Sequence, residues 1–217
     1  MDAFADARAK MVESQLRTEN VNDYDVLAVM GTLPRERFVP AALQGLAYID
    51  RDIALGGGRF LMEPAPLARL LQLAELGRGE RVLDIGCGTG YSAAALASLC
   101  GSVVALESDV TLSSQAKANL AALGIDNVKV VTGPLEMGHA ADAPYDAILI
   151  DGAVESVPAI LFGQLKDGGR LVAIVGNGRA AVATVYTKSE EQVGRRPAFN
   201  ADARPLPGFR KPDAFVF

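Results

Sequence analysis

The chain reads as an α/β protein with one main body built on a mostly parallel sheet and a helical N-terminal extension. Three observations lead there. From about residue 80 onward, short β-branched runs alternate with helical patterns, as in βαβ units whose sheet is covered on both faces. The 217 residues are 50% hydrophobic, enough to bury one substantial core. A glycine-rich loop, "LDIGCGTGY" at 83–91, joins the first of these strand runs to a helical run.

The N-terminal part, residues 1–79, carries helical patterns in "ADARAKMVESQLRT" and "DYDVLAVMGTL". After them come "PRERFVP", the glycine-rich "LGGGRFLMEP" and a third helical pattern, "PLARLLQLAEL". This extension is expected to pack on the body, residues 80–217, where it is placed to cover a site. In the body, "RVLDI", "SVVAL", "VKVVT", "YDAILI" and "GRLVAIV" read as strands. Between them, "YSAAALASL", "TLSSQAKANLAAL" and "VPAILFGQL" read as helices. At the C-terminal end, "AVATVYTK" and "DAFVF" are expected to form an antiparallel hairpin. Pro197, Pro205, Pro207 and Pro212 exclude a helix between them, so the stretch 195–213 reads as a connector.

Charge and composition narrow the function. A formal net charge of -5 gives no electrostatic footprint for a nucleic-acid backbone. The opening "MDAFADARAK" is acidic where a secretion signal is basic, and the longest apolar stretch, "AAALASLCGSVVAL", is shorter than the roughly 18 residues of a membrane span. The expectation is a soluble cytoplasmic protein with neither nucleic acid nor membrane as partner. The 2 cysteines, Cys87 and Cys100, make neither a disulfide framework nor a zinc cluster and are expected to be small buried residues. His139 is the 1 histidine, so a Ser-His-Asp triad has one possible base and a His-rich metal site has none. It is expected to be an ordinary loop residue, no metal is expected, and the chemistry should need little proton shuttling.

Gly86, Gly88 and Gly90 follow a strand and precede a helix, as in open α/β folds that bind nucleotides at the carboxyl ends of their strands. A dinucleotide fingerprint requires glycine at 91, where this chain has Tyr91, and no Gly-Lys-Ser/Thr follows for a phosphate loop. The G-x-G-x-G spacing led by Asp84 resembles the first motif of S-adenosylmethionine-dependent methyltransferases. Glu107 ends the next strand, where a carboxylate can accept hydrogen bonds from both hydroxyls of a ribose. The expected cofactor contacts are Asp84, Gly86, Cys87, Gly88, Gly90, Glu107 and Leu135.

The resemblance extends further. "MVESQLR", "VLAVMGTLPRERFVP" and "AYIDRDIAL" are similar to the opening of the protein-L-isoaspartate O-methyltransferase family. "RVLDIGCGTGYSAAALA", "APYDAILIDGA" and "VPAILFGQLKDGGRLV" match its body in order and spacing, over roughly residues 10 to 176. This resemblance implies a Rossmann-like methyltransferase fold with a seven-stranded sheet and S-adenosylmethionine as cofactor. It also implies methyl transfer to the side carboxylate of isoaspartyl residues in damaged proteins. The family's substrate loop carries a Ser or Thr before its proline; here Phe60, Leu61 and Met62 precede Glu63 and Pro64, and Met62 takes the hydroxyl position. No catalytic residue can therefore be assigned, and core packing is an equally open reading of these three. Pro134 stands where the family commonly has an adenine-binding Asp, leaving Glu136 or backbone groups for adenine. Asp151 and Gly152 replace a common Thr-Ala pair, with Asp151 expected on the substrate rim. Two alternatives remain: the same fold with another acceptor, or a relative that binds cofactor or partner without catalysis.

Overall fold

The computed structural model describes residues 3–210. Helix α1 (Ala3–Met11) runs on through a π turn, Val12–Leu16, and a 3-10 turn, Arg17–Glu19. Asn20, in the left-handed region at φ 64°, ends the run. Helix α2 (Tyr24–Thr32) is capped by Asp23, whose carboxylate accepts from the Val26 N–H. The glycine-rich segment is not a bare loop. It forms a small antiparallel hairpin, β1 (Ile53–Gly56) with β2 (Arg59–Leu61), turned at Gly57 and Gly58, which both have positive φ as a two-residue hairpin turn demands. Helix α3 (Pro64–Ala74) then begins with Pro64, whose missing N–H costs nothing there.

The body follows the expected alternation: β3 (Arg81–Ile85), α4 (Tyr91–Leu99), β4 (Ser102–Glu107), α5 (Val110–Ala122), β5 (Val128–Thr132), β6 (Tyr145–Val154), α6 (Ala159–Gly163), β7 (Leu165–Val175), β8 (Val182–Ser189) and β9 (Gln192–Asn200). These strands form a 7-stranded sheet in the order β5-β4-β3-β6-β7-β8-β9, parallel from β5 through β7 and antiparallel beyond. Strand order reverses direction between β3 and β6. A crevice opens there at the carboxyl ends of the strands, where ligands bind in such sheets.

Met11, Leu16, Met30, Leu67 and Leu71 of the N-terminal part share one buried cluster with Val82, Leu96 and Leu149 of the body. A second cluster on the other side includes Leu83, Leu106, Leu135 and Ile150. Helix α4 is mostly Ala and Leu, and its residues Tyr91 to Leu96 are all buried, as suits a helix packed within the core.

Two expectations at the C-terminal end are corrected. The hairpin partner of β8 is β9, built from "QVGRRPAFN", which sequence reading assigned to the connector; "DAFVF" lies outside the described residues. Pro197 fits because β9 is an edge strand, where a missing N–H need not break a ladder. The stretch that follows does more than connect: residues 201–209 fold back across the end of β6. The Ala153 N–H donates to the Arg204 carbonyl and the Leu206 N–H donates to the Ala153 carbonyl, each at 2.9 Å.

Candidate active site

The glycine loop is fastened to the neighbouring strand tip. Both the Gly86 and Cys87 N–H groups donate to the Leu106 carbonyl, at 2.8 and 3.3 Å. This brings the loop beside Glu107, whose Oε2 accepts from the Gly88 N–H at 2.8 Å. Glu107 is 0% exposed, and its Oε1 accepts from the Ser108 and Asp109 N–H groups at 2.8 and 3.1 Å. The expected carboxylate thus stands at the strand tip, buried against the glycine loop.

It does not stand alone. Arg59 of β2, with a side chain 4% exposed, donates from Nη1 to Glu107 Oε1 at 2.6 Å and from Nη2 to the Gly86 carbonyl at 2.8 Å. Sequence reading passed over this arginine. The available signal was its alternation with Leu61 on the inward face of a short strand following a Gly-Gly turn.

Two further carboxyls lie beside the loop. Asp84 Oδ2 accepts from the Ser92 hydroxyl at 2.7 Å, while Oδ1 is buried without a hydrogen-bond partner. Burial, with the negative charge of Asp151 behind it, holds the Asp84 carboxyl well above the usual range. Asp151 is corrected from rim to interior: it is buried, its Oδ1 also lacks a partner, and burial pushes it up to about 6 against the pull of Arg59 and Arg35. Cys87 and Cys100 are buried as expected, and burial raises both thiols, Cys100 to about 12. His139 contacts Asp142 Oδ2 at 3.0 Å in the loop before β6.

The hairpin side of the crevice is built on Arg35. Wholly buried, it donates from Nε to the Ala47 carbonyl at 2.7 Å and from Nη2 to the Met62 carbonyl at 2.6 Å, with its guanidinium 4.8 Å from the Tyr91 ring centre. Leu61 and Met62 turn into the core, Met62 being 4% exposed. Phe60 stays half-buried under the Arg204 guanidinium, 4.9 Å from its ring centre. The packing reading therefore holds for Leu61 and Met62. Leu135 is buried in the second cluster together with Leu206 and Phe209 of the returning C-terminal segment.

Outside the crevice lies an open hollow of about 700 Å³, whose walls include Asp50, Asp52, Glu63 and Asp202. Burial, then Asp50, Asp52 and Asp202, push the Glu63 carboxyl up to about 7. Inside, the space between Asp52, Arg59, Met62, Asp151, Gly152 and Leu206 is only about 10 Å³. That is room for about one water, against the roughly 300–1,000 Å³ of a ligand pocket. Among the described residues no three His, Cys, Asp or Glu side chains gather as a metal cluster, and no helix is long and apolar enough to cross a membrane.

The donor set fits a ribose-bearing cofactor: a buried carboxylate at the second strand tip, a loop with positive-φ glycine at every second position and two unsatisfied carboxyl oxygens beside it. The space in this conformation is filled by the chain's own Arg59, Leu55 and Leu206, which would meet side chains placed at Gly86 and Gly88. Fold and site together define a Rossmann-like protein of the methyltransferase class.

Comparison with known proteins narrows the class. The model of the family described as protein-L-isoaspartate(D-aspartate) O-methyltransferase (PCMT) matches residues 7–199. The relative from Koribacter versatilis (strain Ellin345), named protein-L-isoaspartate O-methyltransferase, is 36% identical over 208 residues, 96% of this chain and 94% of its own. That from Opitutus terrae, with the same name, is 43% identical over 174 residues, 80% of this chain and 75% of its own. A solved protein-L-isoaspartate O-methyltransferase superposes with a TM-score of 0.80 at 28% identity, covering 93% of this chain and 66% of that one. A Plasmodium falciparum structure described as a putative member in complex with S-adenosyl-L-homocysteine shares the fold, with a TM-score of 0.78 at 22% identity over 92% of this chain and 97% of that one. The chain belongs to the protein-L-isoaspartate(D-aspartate) O-methyltransferase family.

Proposed function

We propose that this chain transfers the methyl group of S-adenosylmethionine to the side carboxylate of isoaspartyl residues in damaged proteins. The observation that carries the reading is the wholly buried Glu107 carboxylate, tied through the Gly88 N–H to a glycine loop at the switch point of the sheet. Family membership and the names of the relatives support the same activity.

Glu107 would hold the ribose hydroxyls, the glycine loop would lie against the methionine portion, and Leu135 would flank the adenine. When bound, the cofactor supplies a methyl group already activated on sulfonium. The chain's own contribution is then positional. An acceptor carboxylate is ionised at neutral pH and needs no general base, so rate comes from alignment and from keeping water out. Arg35 serves this by fixing the Met62 carbonyl and the wall it belongs to. Isoaspartyl-containing proteins or peptides are accordingly the proposed partners, in a soluble cytoplasmic setting.

A second acceptor class is favoured by one feature. Phe60, Leu61 and Met62 present no hydroxyl to orient an acceptor carboxylate. The deciding experiment supplies methyl-labelled S-adenosylmethionine with an isoaspartyl peptide and its aspartyl twin. Base-labile label on the isoaspartyl peptide alone is the expected result; cofactor binding without label on either peptide would move the assignment to another acceptor.

A further inference from the structure

We propose that the chain carries its own plug for the cofactor cradle: Arg59 and the returning segment 203–209 occupy it, and cofactor enters only as they withdraw. This rests on the cofactor reading above.

The argument begins at Gly86. A Cβ placed there would lie 3.0 Å from Leu206 Cδ1 and 3.1 Å from Arg59 Nη2, so the two side chains lie side by side on the floor of the loop. Leu206 also reaches the end of β6, where a Cβ on Gly152 would stand 2.6 Å from its Cγ. One leucine thus fills the gap between the first strand's loop and the strand across the switch point. Phe209 extends the filling into the cluster that contains Leu135 and Leu106. Leu206 and Phe209 are 6% and 3% exposed, buried like core residues although they lie in a surface segment.

Arg59 blocks the polar half. Glu107 Oε1 already accepts two backbone N–H groups besides the guanidinium, and Oε2 accepts the Gly88 N–H. With the Ser108 hydroxyl at 3.2 Å, the carboxylate as a whole meets five donors against about four lone-pair sites, so a diol finds no free acceptor while Arg59 stays. The arginine acts as an internal competitor for the acceptor that a ribose requires. The charge balance allows the exchange, because an adenosyl sulfonium brings a positive charge into the pocket that Arg59 leaves.

The plug is built to open. Two backbone hydrogen bonds, both to Ala153, join the segment to β6, and its Arg204 adds a 3.4 Å ion pair with Asp52 and a stack 4.9 Å from the Phe60 ring centre. A segment joined by so few backbone bonds opens more readily than the sheet strands, and the burial of Leu206 and Phe209 sets the cost of that opening. Because the competent state is a fraction of the population, apparent affinity is reduced by that fraction.

The test is calorimetric titration of the full chain and of Leu206→Ala with S-adenosylmethionine, together with amide hydrogen exchange on the unmodified chain with and without saturating ligand. Truncating a buried leucine weakens only the closed state, so Leu206→Ala should bind about tenfold tighter or more. The Leu206 and Ala153 amides should lose protection when ligand is bound. Equal affinities, or a Leu206 amide that stays protected with ligand bound, would overturn the plug and leave the cofactor reading standing. No binding by either protein at millimolar ligand would overturn both. Should Leu206→Ala fail to fold, the exchange result on the unmodified chain decides alone.

Discussion

Asp151 shows how much of the site's character comes from burial of single groups. Its carboxyl is buried, one oxygen has no partner, and Glu107 stands near, so ionisation is resisted against the pull of Ser92, Arg59 and Arg35. The folded state holds its proton up to about pH 6, above the ordinary carboxylate value of 3.8. Stability from this group is therefore fully present below pH 3.8 and is lost as pH rises through 6. Asp151→Asn keeps the shape without the charge. It should stabilise the fold at pH 8 by on the order of 2 kcal/mol and have almost no effect near pH 3.5, as read by urea denaturation at the two pH values. An equal effect at both would show that the carboxyl is not held protonated by its surroundings.

Among the elements, the β1–β2 hairpin owes its position to one bolt. Its two short strands pair only with each other, and a lone two-stranded hairpin is marginal in water. Arg59 reaches from β2 to the tip of β4 and to the glycine loop, and Leu61 beside it enters the core. Removing one member of a buried ion pair costs about 3–5 kcal/mol. The lower part of that range applies here, because backbone N–H groups remain on Glu107. Arg59→Ala should thus lower the unfolding free energy by about 3 kcal/mol. A loss under about 1 kcal/mol, the range of an exposed pair, would show that the hairpin is held by apolar packing instead. The helical patterns and the five parallel strands were legible because their periodicity depends on local spacing alone. Strand β9 was missed because an edge strand tolerates proline and exposes both faces, removing the two signals that mark a strand.

Across the protein as one body, the crevice has an acidic approach. Asp50, Asp52, Glu63 and Asp202 share the outer hollow with Arg51 and Arg204, and burial, a hydrogen bond with Asp50 and the repulsion of the three aspartates raise Glu63 to about 7. If an anionic acceptor enters through this hollow, the four carboxyls outnumber Arg51 and Arg204 and oppose it. Neutralising two of them with Glu63→Gln and Asp202→Asn should lower KM for an anionic isoaspartyl peptide several-fold at pH 8 and leave kcat nearly unchanged. Added salt should do the same for the unmodified chain by screening. Below about pH 6 Glu63 is protonated, so the gain from Glu63→Gln alone should fade there. A KM indifferent to both changes would place substrate entry elsewhere.

Some of this was settled within a few residues of chain. The loop "DIGCGTG" lies between a strand and a helix whatever the rest of the fold does, and Glu107 ends a strand that its own β-branched run defines. Those features are local, so spacing reveals them. What stands opposite Glu107 is not local: Arg59 lies 48 positions earlier in the chain, and Leu206 comes from beyond the far edge of the sheet. No periodicity links them. They meet because the sheet brings its strand ends to one crevice and folding fills that crevice with whatever apolar and charged groups can bury and pair there.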